Sequence, residues 1–352
     1  MSDEAPIPEQ SLGGSRSSRL SICVGIGICA VLLALGVVAT NRSRETANRT
    51  KSVNNVRMIG IAIQNYHDQN NQRFPFLCDF AEDLPAGHHH LSGHGYCSMF
   101  FAIIPHLDGG PEYNWFEQTN PSTYYSGRAP SKVIIRCYHS PLDPSGDDET
   151  RVKLEVQDPN HGGPYPPSFV GEYATMSYAA NGMIFQPGMG IKSALDGTTR
   201  TIMLAERYRA CKQTNGETVY NLWALGAYSA STPSFATRLP EAKNYPTAKP
   251  LMEQFAPPSE VPYPEGDIKG RAGNAPTAFA NIAKSANAAC GFQVAPKQGT
   301  CDPRIPQALQ RDAMIVGWAD ASTSTIKPNI SPNKFWALVT PNGNEVFGED
   351  CQ

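Results

Sequence analysis

The chain has 352 residues, a formal net charge of −3, 17% charged residues and 40% hydrophobic residues. This near-neutral balance excludes a basic nucleic-acid-binding surface, so no nucleic acid is expected as a partner; the apolar content excludes disorder along the whole chain. With 30 Gly and 30 Pro, the composition fits a loop-rich, β-rich domain of the kind found outside the cytoplasm.

Residues 1–19 carry acids, Ser, Gly, Arg16 and Arg19, and read as a disordered cytoplasmic tail. Residues 20–40 contain the uncharged run from Ser21 to Ala39. As a helix rising about 1.5 Å per residue it would reach roughly 28 Å, enough to cross a hydrocarbon core. A transmembrane helix is therefore expected, with the membrane as the partner of residues 20–40. Beyond it the pattern turns amphipathic: Val53, Val56, Ile59 or Gly60, Ile63 and Tyr66 recur at three- and four-residue steps. That stripe should be buried, and Arg49, Gln64 and Asp68 should be more exposed. No proline lies between Pro8 and Pro75, so one long helix is expected, ending near Asn70-Asn71.

Orientation is contested by two signals. Arg42, Arg44, Arg49 and Lys51 follow the run while Arg16 and Arg19 precede it, which by the positive-inside rule would place the C-terminal side in the cytoplasm. The cysteines and the Gly/Pro-rich composition point the other way, and residues 41–352 are read as extracytoplasmic. Cys23 and Cys29 lie in the anchor, leaving Cys78, Cys97, Cys137, Cys211, Cys290, Cys301 and Cys351. No CxxC pair supports a zinc ribbon. The nearest disulfide candidates are Cys290–Cys301 and Cys78–Cys97; buried thiols in a reducing compartment are the alternative.

Farther along, residues 98–107 are apolar and fit helix or strand. Val133–Cys137, Tyr173–Ala179, Thr201–Glu206, Tyr220–Leu225 and Ala313–Ala319 are short apolar or β-branched runs that predict strands. Ser331-Pro332 signals a helix start, with a short helix over Phe335–Val339, and Pro341-Asn342-Gly343-Asn344 a turn. Residues 230–310 are rich in Pro, Ala, Ser, Asn and Lys and read as a long insertion, pinned by Cys290 and Cys301.

Several blocks occur in a telling order. Asn54-Asn55-Val56-Arg57-Met58-Ile59-Gly60 through Asn65-Tyr66-His67-Asp68 precedes Phe74-Pro75. Ile103-Ile104-Pro105-His106-Leu107, Cys137-Tyr138-His139-Ser140-Pro141-Leu142-Asp143-Pro144, Ser177-Tyr178-Ala179-Ala180-Asn181-Gly182 and Asp196-Gly197-Thr198 through Glu206 follow. Ala319-Asp320-Ala321-Ser322 and Trp336-Ala337-Leu338-Val339-Thr340-Pro341-Asn342-Gly343 close the series. Together these resemble the bacterial domain-of-unknown-function family 1559, the H-X9-DG pseudopilin-like family, over about residues 40–350. The resemblance implies an α+β fold: a pilin-like long N-terminal helix, transmembrane then amphipathic, packed on an antiparallel β-sheet with loop-rich elaboration. The chain departs from the family pattern at both ends. No Phe follows Gly13-Gly14 and no Glu lies in the apolar run, so prepilin maturation is not expected. The H-X9-DG motif is degraded to Gln310, Asp320 and Ala321; Ala321 is expected to remove the glycine that permits a positive-φ turn.

Candidate chemistry is sparse. His88, His89, His90 and His94 have zinc-like spacing, but Gly87, Gly93 and Gly95 argue against a helix. Asp143, Ser145 and Asp147, followed by Asp148 and Glu149, resemble half a calcium loop, against which stands a solvated acidic turn. Candidate metal ligands are thus His88, His90, His94, Asp143 and Asp147; none forms a set coherent enough to assign calcium or zinc, and no cofactor is expected. Asp196-Gly197 reads as a tight turn, Glu206 has no partner carboxylate, and His67 suits a helix C-terminus. Tyr113, Trp115, Tyr124 and Tyr125 suit an aromatic surface or core. No GxSxG, Walker or HExxH motif occurs. The expected function is a non-enzymatic, membrane-anchored surface protein of structural or binding role, with a protein or glycan partner or lateral self-association. The alternative is an extracytoplasmic solute- or glycan-binding or metal-dependent hydrolytic domain using the His88–His94 and Asp143–Asp148 loops.

Overall fold

The computed structural model describes residues 16–77, 98–107, 132–146, 151–157, 168–185, 188–224, 231–236, 291–303 and 305–341; for 16–27, 29–39, 41, 154–157, 168–171 and 333 it describes the backbone alone. The chain divides into two compact units, residues 1–48 and 49–352.

Helix α1 spans Arg16–Gln69. In the first unit, the described side chains Ile28, Thr40 and residues 42–47 are exposed. Among the described residues no helix is long and apolar enough to cross a membrane; most side chains of the apolar run at 21–39 lie outside what the structure describes.

The second unit begins with the amphipathic half of α1, and the apolar stripe lies where its spacing predicts. Val56, Ile59 and Ile63 are fully buried, and Val53 and Tyr66 pack on the core more loosely. Asp68 is exposed, but Arg49 and Gln64 are only partly so, because each has a partner. Arg49 bonds Asp312, and Gln64 donates to the Ala319 carbonyl. The helix stops through backbone geometry ahead of the proline: Asn71 and Gln72 turn left-handed (φ 55° and 58°), and the Gln72 N–H returns to the His67 carbonyl at 3.0 Å.

The remaining elements are a short helix α2 (Met99–Ala102), strands β1 (Arg151–Gln157), β2 (Ser168–Ala174), β3 (Tyr178–Asn181), β4 (Ile202–Glu206), β5 (Ala210–Lys212), β6 (Thr218–Tyr220), β7 (Ser234–Phe235), β8 (Gln293–Val294), β9 (Gln307–Ala308), β10 (Met314–Trp318) and β11 (Thr323–Ile326), and helix α3 (Pro332–Val339). The central sheet has the order β11-β10-β4-β3-β7, with β1-β2, β5-β6 and β8-β9 as separate pairs. It is mixed, which corrects the expected antiparallel sheet. β7 pairs with β3 in parallel, as β9 does with β8, because long connections rather than hairpins lead into them.

Two glycines let α1 approach this sheet. A Cβ at Gly317 on β10 would lie 2.8 Å from Val56 Cγ1, and one at Gly60 on α1 would lie 3.1 Å from Ala321 Cα and Cβ. Ile63 shares the main core with Leu204, Ile315 and Ala319. Ile63→Ala should therefore cost about 2–5 kcal/mol; an unchanged denaturation midpoint in the purified full chain would show that this face is not core.

Other segments depart from the pattern. Val133–Cys137 is no strand: Arg136–Tyr138 forms a 3-10 turn, and the Val133 carbonyl accepts from the Trp223 indole rather than from a ladder. Tyr173–Ala179 is split between β2 and β3, with Thr175 bridging Leu222. Residues 98–107 are helical, as α2 and a 3-10 turn over Ile104–His106. Ser331 caps α3 by accepting from the Lys334 N–H. Asn342–Asn344 and most of the 230–310 insertion lie outside the described residues, yet the insertion's two ends place Phe235, Phe292, Ile305 and Ala308 in a second core with Phe335 and Trp336.

The disulfide expectation is corrected. Cys301 bonds Cys211, 90 residues away, not Cys290. The Lys212 carbonyl on β5 accepts from both Gly299 N–H (3.0 Å) and Cys301 N–H (3.2 Å), which lays the two segments side by side. Cys137 is a buried thiol, and Cys78, Cys97 and Cys290 lie outside the described residues.

Candidate functional site

The densest polar assembly lies between α1, the loop after Cys137, and the ends of β3 and β4. Ser52 and Asn55 are polar residues on the otherwise apolar face of α1, and both are buried. Ser52 Oγ lies 2.9 Å from the Tyr178 hydroxyl, and Ser140 Oγ donates to Ser52 Oγ at 2.9 Å. Asn55 Nδ2 donates to the His139 carbonyl at 2.8 Å. His139 Nε2 donates to the Thr175 carbonyl at 2.7 Å, and burial lowers the ring's proton affinity. Burial likewise raises the Tyr178 phenol, against its hydrogen bonds to Ser52 and Asn55.

At Asp143 the expectation of a solvated acidic turn is corrected. Its side chain is 0% exposed. Oδ1 accepts the Ser145 N–H at 2.9 Å and the Ser145 hydroxyl at 2.5 Å. Oδ2 accepts the Ser177 hydroxyl at 2.8 Å and the Arg209 N–H at 3.0 Å, with Arg209 Nε 3.4 Å away as an ion-pair partner. Ser145 Oγ also receives the Ala210 N–H at 3.1 Å. Oδ2 thus joins the loop to the residue before β3 and to the chain beyond β4, while Oδ1 closes the loop on Ser145. Asp147, Asp148 and Glu149 lie outside the described residues, as do His88, His89, His90, His94, Tyr113, Trp115, Tyr124 and Tyr125. Among the described residues no cluster of three or more His, Cys, Asp or Glu could hold a metal ion.

The degraded motif does not converge. Gln310 precedes β10 and Asp320 follows it, so five residues of strand, roughly 17 Å at 3.3 Å per residue, separate them. Asp320 Oδ1 accepts the Ser322 N–H (2.9 Å) and hydroxyl (2.6 Å) at the tip of the β10–β11 hairpin. Ala321 adopts φ 64° there, so the left-handed turn survives without glycine, contrary to expectation. Its N–H donates to the Trp318 carbonyl (2.9 Å), and its Cβ rests against Gly60. Asp196-Gly197 is the expected turn, with Gly197 at φ 106°. His67 is buried at the end of α1, 3.1 Å from Asp68, with Nε2 facing the Ile191 N–H.

Sequence reasoning missed the burial of two ionisable side chains. Glu206, which ends β4, is 1% exposed; Oε2 accepts the Ile315 N–H at 2.9 Å and the Leu309 N–H at 3.4 Å. Arg207 is equally buried and donates to the Thr232 (2.6 Å) and Ser234 (3.1 Å) carbonyls, fixing the start of the insertion. The only sequence signal for Glu206 is a carboxyl closing an otherwise apolar run. Asp143, Glu206, Arg207 and Asn55 are buried and each bonds a distant segment of backbone, so the chemistry these four support is the positioning of chain on chain.

These features define a mixed α+β domain assembled on one long helix, its polar motifs spent on holding loops to that helix and to the sheet. The chain belongs to the family described as "Protein of unknown function (DUF1559)", whose model matches residues 41–330. Comparison with curated proteins and with solved structures finds no match.

Proposed function

We propose that this is a membrane-anchored, pseudopilin-like protein of structural or binding role, with residues 41–352 outside the cytoplasm and no catalytic activity. The observation that carries it is α1, continuous over Arg16–Gln69: its later half is the spine of the domain core, and its earlier half contains the uncharged run at 21–39. The Cys211–Cys301 bond supports an oxidising compartment. A protein or glycan on the exposed domain surface, or a neighbouring copy, is the partner class this reading implies.

Lysine labelling tests the topology, since Cys137 is buried and Cys211 is bonded. Lys153, Lys212 and Lys327 are exposed and should react with a membrane-impermeant amine reagent on intact cells, with the protein retained in carbonate-washed membranes. Labelling only after lysis, or release by carbonate, would overturn the proposal. The intact mass of the native protein separates plain anchoring from maturation: cleavage after Gly14 with an added methyl would make it a processed subunit.

A further inference from the structure

The connector from β9 to β10 is strapped down by two carboxyls. Glu206 Oε2 takes the Leu309 N–H at one end and the Ile315 N–H at the other. Between them, Asp312 Oδ2 lies 2.7 Å from Arg49 Nη1 on α1. Glu206 Oε1 is buried and has no hydrogen-bond partner among the described residues. Ionised, it would place an unsatisfied charged oxygen in a low-dielectric interior; protonated, it leaves only a neutral hydroxyl there. The charged groups acting on Glu206 are Asp143, which opposes ionisation, and Arg49, which favours it. Tyr178 on β3 and Tyr208 beyond β4 are the titratable hydroxyls that its charge acts on in turn. Within the connector Gln310 does not titrate and Arg311 is exposed.

We propose that residues 309–315 form a proton-gated strap, closed while Glu206 is protonated and Asp312 ionised, and opened when Glu206 releases its proton to solvent. Opening hydrates the carboxylate and frees the segment that links β8, β9 and Cys301 to the central sheet. Burial pushes the Glu206 carboxyl up to about 8, from an ordinary 4.5, against its two backbone bonds and Arg49. The closed strap therefore holds a proton that the open one loses. Its contribution is complete below the ordinary carboxyl value and disappears as pH rises through about 8. Asp312 works in the opposite direction: the Arg49 hydrogen bond holds its carboxyl below the usual range, so its contribution is present above that range and lost on acidification. The strap is tightest between the two.

Hydrogen exchange of the full chain in detergent, corrected for the intrinsic pH dependence of exchange, reads the strap directly. Protection of the 309–315 peptide should fall on the order of 10–100-fold from about pH 6 to 9 in the wild type and stay level in Glu206→Gln, while the 99–104 peptide of the main core holds its protection. A level wild-type profile, an equal fall in the Gln variant, or a matching fall at 99–104 would overturn the proposal. Infrared difference spectra of the wild type give an independent reading that needs no variant. A buried protonated-carboxyl C=O band should vanish across the same interval, and its absence at the acid end would equally overturn the strap.

Discussion

Replacing Asp143 by Ala is expected to lower the unfolding free energy by about 3–5 kcal/mol, the range for removing one partner of a buried ion pair. The loss has two sources. Four donors, the Ser145 and Arg209 N–H groups and the Ser145 and Ser177 hydroxyls, lose an acceptor that is itself fully buried. The Arg209 guanidinium, with its side chain only 11% exposed, loses this counter-charge and, among the described residues, keeps the Gly146 carbonyl at 3.2 Å. Asp143→Asn should cost less, because one oxygen still accepts from Ser145 while the amide faces Arg209. Pairing Asp143→Ala with Arg209→Met should recover part of the loss by removing the stranded cation. Denaturant titrations of the four proteins give the coupling; a change of less than about 1 kcal/mol in the single Ala variant would mean the loop is not held through this carboxylate.

The second large effect should come from the Cys211→Ser, Cys301→Ser pair. The bond closes a separation of 90 residues, for which chain entropy gives about 4.5 kcal/mol and experience with native disulfides about 2–5 kcal/mol. The loss should be focused: β8, β9 and the residues up to Cys301 contribute little strand pairing of their own, so this segment should lose exchange protection before the central sheet does. Equal stability of the native and reduced protein, or failure to recover a Cys211–Cys301 peptide from a non-reducing digest, would remove the bond from the account.

Asp143 also shows why its role was hidden in the sequence. Asp143-Pro144-Ser145 followed by Asp147, Asp148 and Glu149 has the composition of an exposed acidic turn. Its burial depends on Ser177 and Arg209, which are 34 and 66 residues away, and no local pattern encodes that distance. The same holds for Cys301: Cys290 is nearer in sequence, but the hydrogen bonds of Lys212 bring Cys211 beside it. Glu206 read as a strand-end carboxyl with no partner carboxylate, and only the arrival of β10 and the connector makes it a buried group shifted toward neutrality.

What the sequence determined by itself is what local periodicity and order of motifs can express. The 3.6-residue stripe through Val56, Ile59 and Ile63 predicted which face of α1 is core, the turn at Asp196-Gly197 announced β4, Ser331-Pro332 announced α3, and the ordered blocks from Asn54 to Gly343 carried the family. The tertiary structure alone decided the rest: the parallel pairing of β7 with β3 and of β9 with β8, the partner of Cys301, the left-handed Ala321 seated on Gly60, and the burial of Asp143, Glu206 and Arg207. The physical reason is one of range. Helix stripes and turns follow from each residue's near neighbours, whereas the partners of a buried charge, and the packing that offsets a locally strained positive φ, arrive from distant parts of the chain.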